Sequence, residues 1–287
     1  MAGFAISFLI SFYVFFLNIL MTSLGMAFTY GVTRILNLAQ GTFFVLGGYL
    51  ASVFAWQIGL AFGIAAAAAA SLALGPFFYL YVKALGRTEL EQLFATYALL
   101  LIGEGLFKLV FGNGNYTTAS LADGLGSVEV LGQQVPYSYL WGGAVAAALL
   151  ALMYLLLART RAGLYMRAVR DDAEMASALG INVREVGLSA SALGILITAA
   201  SGAASSMWQA FTLGLSGQIL VYAFASLVVG GIGDLLGVVA ASAVISAVRT
   251  AAVFLYPQLE LVAIYLVVIA VLLTRPSGLF ARHARLA

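Results

Sequence analysis

The chain has 287 residues, 63% of them hydrophobic and only 8% charged, with no cysteine and a formal net charge of +2. A soluble domain carries about 25% charged residues, so this composition, with a mean hydropathy of +1.07, excludes a surface that mostly faces water. It also excludes a disulfide framework, a thiolate metal site and a cysteine nucleophile, and so small a net charge gives no basic face for nucleic acid.

Long continuous apolar runs, rather than short alternating ones, predict membrane-spanning helices and not a barrel. Breaks at glycine, proline and charge place about nine of them, at 5–32, 41–57, 61–82, 89–111, 139–158, 186–208, 217–233, 236–255 and 260–274. A count of eight, merging or losing one of the first three, stands as the alternative. The opening "MAGFAISFLI" has no basic flank, the first basic residue being Arg34, and reads as a retained first span. Its run exceeds what a perpendicular crossing needs, so it tilts or projects.

Lys83 and Arg87 flank one loop, Arg159, Arg161, Arg167, Arg170 and Arg184 crowd another, and Arg275, Arg282 and Arg285 mark the tail. The loops around 112–138 and 209–216 carry neither lysine nor arginine. With nine spans, the basic segments all fall on the cytoplasmic side, which puts the C-terminus inside and the N-terminus outside. Small residues are abundant, as in "GIAAAAAASLALG" at 63–75, and "GLAFG" (59–63) and "GDLLG" (233–237) have the spacing of close helix packing.

The stretch "RTRAGLYMRAVRDDAEMASALGINVRE" (159–185) concentrates charge in an otherwise apolar chain. Arg159 and Arg161 anchor the end of a span. From Gly163 to Leu179 the pattern predicts one helix outside the bilayer core, with Leu164, Ala168, Met175 and Leu179 contributing an apolar stripe. Arg167 pairs by spacing with Asp171, and Arg170 with Glu174. Gly180 supplies a left-handed stop, with Ile181 packing back. A loop that merely obeys the positive-inside rule is one reading. The mixture of acids with bases, the small residues and the defined cap favour a second, a helix of set length that docks a partner.

These residues resemble the cytoplasmic coupling segment of the H-type permease in branched-chain amino acid ABC importers. "YGVTRILNLAQGTFFVLGGYLA" (30–51), "LVVGGIGDLLGVVAASAVI" (227–245) and "RPSGLFAR" (275–282) are similar to three further signatures of that family, in family order. The resemblance implies an all-α polytopic membrane protein of about eight or nine transmembrane helices, a single permease domain over 1–287 with the coupling segment at 159–185. It further implies a second, related M-type permease, two cytoplasmic ABC ATPases, and a periplasmic or lipoprotein solute-binding protein. On it rests the coupling role of Arg161, Gly163, Arg167, Asp171, Ala173, Ala176, Gly180 and Asn182. Gln40 stands where the family usually has histidine; an altered substrate or a tolerated structural swap beside Gly41 accounts for it equally.

No GxxxxGK[ST] occurs, and Lys83 and Lys108 follow valine and phenylalanine, so no cofactor is expected in this chain and ATP with its magnesium belongs to the partner ATPases. Asn37, Gln40 and Gly41 lie where the chain re-enters the membrane, before the glycines of "GTFFVLGG", and are candidate pathway residues. Glu104 is a fourth; its spacing from Lys108 also fits a mutually neutralised pair. Arg249 lies deep in its span, Glu260 begins the next, and Asp234 fits a helix cap.

Three functions compete. A permease subunit of the inner membrane would pass branched-chain or other hydrophobic amino acids, or else urea, short amides or another small polar solute. An ion-coupled secondary transporter needs an intramembrane acid, for which Glu104 is the one candidate. An intramembrane enzyme needs clustered histidine or acids, and the one histidine, His283, lies in the tail.

Overall fold

Each predicted apolar segment is a helix, with ends within three residues of those expected: α1 (Ala2–Thr33), α2 (Gln40–Gln57), α3 (Leu60–Leu85), α4 (Glu89–Phe111), α6 (Tyr137–Arg159), α9 (Val183–Ser205), α10 (Leu215–Gly230), α11 (Leu235–Leu255) and α12 (Glu260–Thr274). The computed structural model describes residues 2–130, 132–231, 235–275 and 278–279. The first three segments are separate helices, so none of them merges with its neighbour. Seven of the nine are long and apolar enough to cross a membrane; α10 is apolar but shorter, and α2 is the ninth. The protein is therefore a multi-pass, all-α membrane protein.

Between α4 and α6 the chain forms a short helix α5 (Ala119–Asp123) and an antiparallel hairpin, β1 (Ser127–Val130) and β2 (Gln133–Pro136), in register Ser127↔Pro136. The hairpin was not foreseen, since four-residue strands are too short to show in apolar patterning. Tyr116 and Phe211 exchange backbone hydrogen bonds of 3.1 and 2.8 Å, and Trp56 Nε1 donates to Thr117 O at 3.0 Å. The 112–138 and 206–214 connections thus sit at one end of the bundle.

Helix α9 is the hub. Two-thirds of its apolar window (67%) is buried, against 33% or less for the other six helices of crossing length, and the shorter α2 and α10 are also mostly buried. Its glycines and alanines let backbones meet. A Cβ at Gly202 would overlap the Phe44 carbonyl, one at Gly194 would meet Thr29 and the Gly25 carbonyl, and one at Gly75 would meet the Ala192 backbone. So α1, α2 and α3 each approach α9 through a glycine, the packing that lipid favours where apolar burial drives nothing. The two GxxxG spacings are used only in part. Gly63 lies against the Ala51 carbonyl, while Gly59 faces open space and starts α3 at φ +129°. Gly237 meets Gly230, and Gly233 lies outside the described residues, as does Asp234 with its expected cap.

Candidate coupling segment and interior polar site

The charged stretch is not one helix. Residues Arg161–Asp171 form α7 and Ala173–Ala178 form α8, separated by Asp172 in extended conformation (φ −153°, ψ 105°). The break has a local cause, because Asp172 turns its carboxylate to accept from Met175 N at 2.9 Å and so starts a new helix. Thr160 caps α7, accepting from Gly163 N at 3.0 Å, and Asn182 caps α9, its Oδ1 accepting from Glu185 N at 3.3 Å and its Nδ2 donating to Glu185 Oε1 at 2.9 Å.

The predicted stop is present. Gly180 has φ +85°, its N–H donates to Ser177 O, and Ile181 N–H donates to Ala176 O, both at 3.0 Å. This is the six-to-one and five-to-two pairing of a Schellman motif. Ile181 packs back into the cluster of Met166, Val169, Ala176 and Val186.

The predicted ion pairs are not formed. Arg167 instead donates to the Leu157 carbonyl at the end of α6, a cation on a helix C-terminus. Arg170 contacts its neighbour Asp171 at 3.3 Å on the open surface, and Arg34 donates to Arg170 O at 3.0 Å, bracing the end of α7. Capping demands outweigh surface pairs of a few tenths of a kcal/mol.

Of the expected apolar stripe, Ala168 packs inward, half-buried, and the rest is reassigned. Gly163, Met166, Val169 and Ala176 face inward, joining α1, α6 and α9, and Gly163 lets α7 fold against Leu156 and Leu157. Leu164, Tyr165, Met175 and Leu179 point out, at 54, 44, 58 and 75% exposure. A concavity of about 590 Å³ beside them is lined by Tyr165, Leu179, Ile181, Asn182, Glu185 and Ser189, among others. Of the eight proposed coupling residues, Gly163, Arg167 and Ala176 shape the segment from within, whereas Arg161, Asp171, Ala173, Gly180 and Asn182 lie on its surface.

The second site is interior. After α1 the chain does not turn outside the bundle. Residues 34–39 run irregularly through it, starting from Arg34 at φ +56°. Thr96 of α4 donates to Leu36 O at 3.1 Å, and Leu36 packs near Met26, Ala223 and Leu227. Non-helical backbone is tolerated there because protein surrounds it. Asn37 Nδ2 donates to Gln40 Oε1 at 2.8 Å, while Gln40 Nε2 donates to Thr198 Oγ1 and to Thr22 O at 3.4 Å. Gln40 is wholly buried and ties α1, α2 and α9 together, with its amide engaged on both sides.

Gly41 lies against the Ser216 backbone, so the first turns of α2 and α10 touch. Glu104 is not paired with Lys108. Its Oε2 accepts from Gly214 N at 3.1 Å at the start of α10, and Lys108 lies exposed. Sequence reasoning missed the hub α9, though the hydroxyls of Ser191, Thr198, Ser201 and Ser205 recur on one helical face and were the available signal. It also left open a partly buried cluster. Arg249 Nε and Glu260 Oε1 are 2.5 Å apart, the Tyr222 hydroxyl donates to the same carboxylate, and the guanidinium lies 3.6 Å from the Phe15 ring centre.

Non-helical backbone enclosed by a helical bundle, a short capped surface element and a polar interior are features that membrane transport proteins share. The family profile described as "Branched-chain amino acid transport system / permease component" matches residues 8–272, and the chain belongs to that family. No curated protein matches it significantly. Among solved structures, PsaBC from Streptococcus pneumoniae in complex with Fab is similar, with a TM-score of 0.50 at 13% identity over 91% of this chain and 87% of that one. At that identity the likeness speaks for the fold alone.

Proposed function

We propose that this chain is one of a pair of permease subunits in an ATP-binding-cassette importer of the bacterial inner membrane, with its C-terminus in the cytoplasm. Its solute is a branched-chain or other hydrophobic amino acid, with urea or a short amide as the alternative. Two cytoplasmic ATPases bind ATP and magnesium and seat on the coupling segment, 159–185, a second permease completes the pathway, and a solute-binding protein delivers from outside.

The observation that carries this reading is the surface segment itself. Leu164, Tyr165, Met175 and Leu179 are exposed on an element whose ends are all capped and whose inner face is anchored to α1, α6 and α9. A rigid, apolar, outward face joined to three long helices is suited to passing a partner's movement into the bundle. The pathway runs past Asn37, Gln40, Gly41 and Glu104, with Gln40 fixing the wall.

The chain has no cysteine and Ser177 is exposed on α8, so Ser177→Cys gives a single reporter. Co-expressed with the ATPases encoded beside it, the variant should form a crosslink whose yield changes with ATP. If the ATPases are present yet neither crosslink nor co-purify, the segment is a topology signal only and an ion-driven mechanism takes precedence.

A further inference from the structure

Where α1 ends, a cleft opens between three helix ends. Phe28, Gly31 and Val32 of α1 form its floor, with Leu157 near the end of α6 and Leu235 at the start of α11 as its sides. About 300 Å³ of space lies between these atoms, in a narrow shape that is half open. Gly31 shows the gap independently. It is buried, yet a Cβ built on it meets no atom within 4 Å. Protein interiors are close-packed, so a gap of this kind beside a buried glycine has room for something the chain does not supply.

The rim of the cleft is basic. Arg167 and Arg170 line it, and they share a helical face of α7 with the buried Gly163 and Met166, the face turned to the bundle. Leu164 and Tyr165, which make the outward apolar face, are exposed away from it. Arg167 donates to the Leu157 carbonyl, and Arg170 Nε meets Asp171 Oδ1 at 3.3 Å. The two terminal nitrogens of Arg170 have no partner among the described residues. Arg34 reaches the same place, its Nη2 donating to Arg170 O at 3.0 Å. Among the described residues, Asp171 is the one acid in ion-pair contact with these three arginines. Surplus guanidinium at the level where α1 and α6 end and α11 begins lies at headgroup depth.

We propose that this cleft binds an anionic phospholipid, with its phosphate on Arg170 and Arg167 and one acyl chain along Phe28, Gly31, Val32 and Leu235. A guanidinium fork matches a pair of phosphate oxygens, and the apolar floor favours a lipid over a free phosphate ion. A zwitterionic headgroup brings its own cation to the arginines and loses the advantage. Bound there, the lipid ties the inner face of α7 to α11. Binding needs neither solute nor ATPases, so its test is separate from that of the importer reading.

Native mass spectrometry of the delipidated, full-length protein reads the binding directly. Phosphatidylglycerol and phosphatidylcholine of equal chain length are added in turn, with inorganic phosphate as a competitor. One phosphatidylglycerol should bind about fivefold tighter than phosphatidylcholine, and an equal concentration of phosphate should not displace it. Arg170→Gln should weaken phosphatidylglycerol about fivefold, the loss of one charge-assisted contact. Gly31→Leu fills the cleft where no atom stands, and leucine suits a helix better than glycine, so this variant should fold well and lose the lipid to a similar degree. Elution at the wild-type volume shows that a variant has folded. The site is refuted if both lipids bind equally, which makes the lipid annular only. Displacement by phosphate also refutes it, as a free-anion site, and so does wild-type affinity in either folded variant.

Discussion

In the surface segment each helix start is closed by a side chain three residues away: Thr160 to Gly163, Asp172 to Met175, Asn182 to Glu185. Around Gln40 only Asn37 is local, three residues away, and the other two partners come from 18 and 158 residues away, on α1 and α9. The first region is shaped by its own chain and lends that shape to a partner. The second exists only once several helices have packed. Damage should therefore stay local in one and spread through the bundle in the other.

The sharpest test is Gly202→Ala. Its methyl has no room beside the Phe44 carbonyl, and backbone cannot rotate aside as a side chain can. Separating α2 from α9 should cost about 3 kcal/mol or more, read as loss of monodisperse protein in detergent and a lowered unfolding temperature.

Nearly as large is the effect of Arg249→Ala, which leaves Glu260 and Tyr222 sharing a negative charge with no counter-ion. Unpairing a partly buried carboxylate should cost on the order of 3 kcal/mol, and the double variant Arg249→Met with Glu260→Gln should recover much of it. Equal destabilisation by the single and double changes would mean that the charges are not coupled.

Gln40→His places the family's usual residue at this junction and is expected to cost about 1–3 kcal/mol, since a neutral imidazole offers one donor and one acceptor where Gln40 makes three hydrogen bonds. A gain in stability would show that Thr22 and Thr198 rearrange freely, and the interior would then be as adaptable as the surface.

The smallest effects belong to the surface segment. Asn182→Ala and Asp172→Ala should each cost about 1 kcal/mol as lost caps, and Gly180→Ala about 1–2 kcal/mol for a side chain held at positive φ. All three should keep the bundle's unfolding temperature within a few degrees while reducing the ATP-dependent crosslink at Ser177→Cys. Global unfolding by any of them would erase the contrast between the two regions.

How far the sequence could be read follows the same division. The nine long helices were legible because apolar length is set by the lipid, and Gly180 with Ile181 because a Schellman stop needs only neighbouring residues. The split at Asp172 was also local, yet it was missed. The periodicity runs through it unchanged, and an aspartate within a charged helix looks like one more surface residue. Of the interior residues, Asn37, Gln40, Gly41 and Glu104 stood out by type and position. Their partners did not, because Thr22, Thr198 and Gly214 look ordinary until helices far apart in sequence are brought together.

The sequence by itself determined that the chain lives in a membrane, where its helices lie, and that its charge gathers in one capped segment, for these depend on hydropathy and on contacts within a few residues. Tertiary structure alone decided that α9 is the hub, that Arg167 closes α6 rather than pairing with Asp171, that Arg249 meets Glu260, and that two helix N-termini converge beside Glu104. Those outcomes turn on which backbones can approach closely enough. That is a property of glycine and alanine faces matched across helices, and no single stretch of the chain carries both halves of the match.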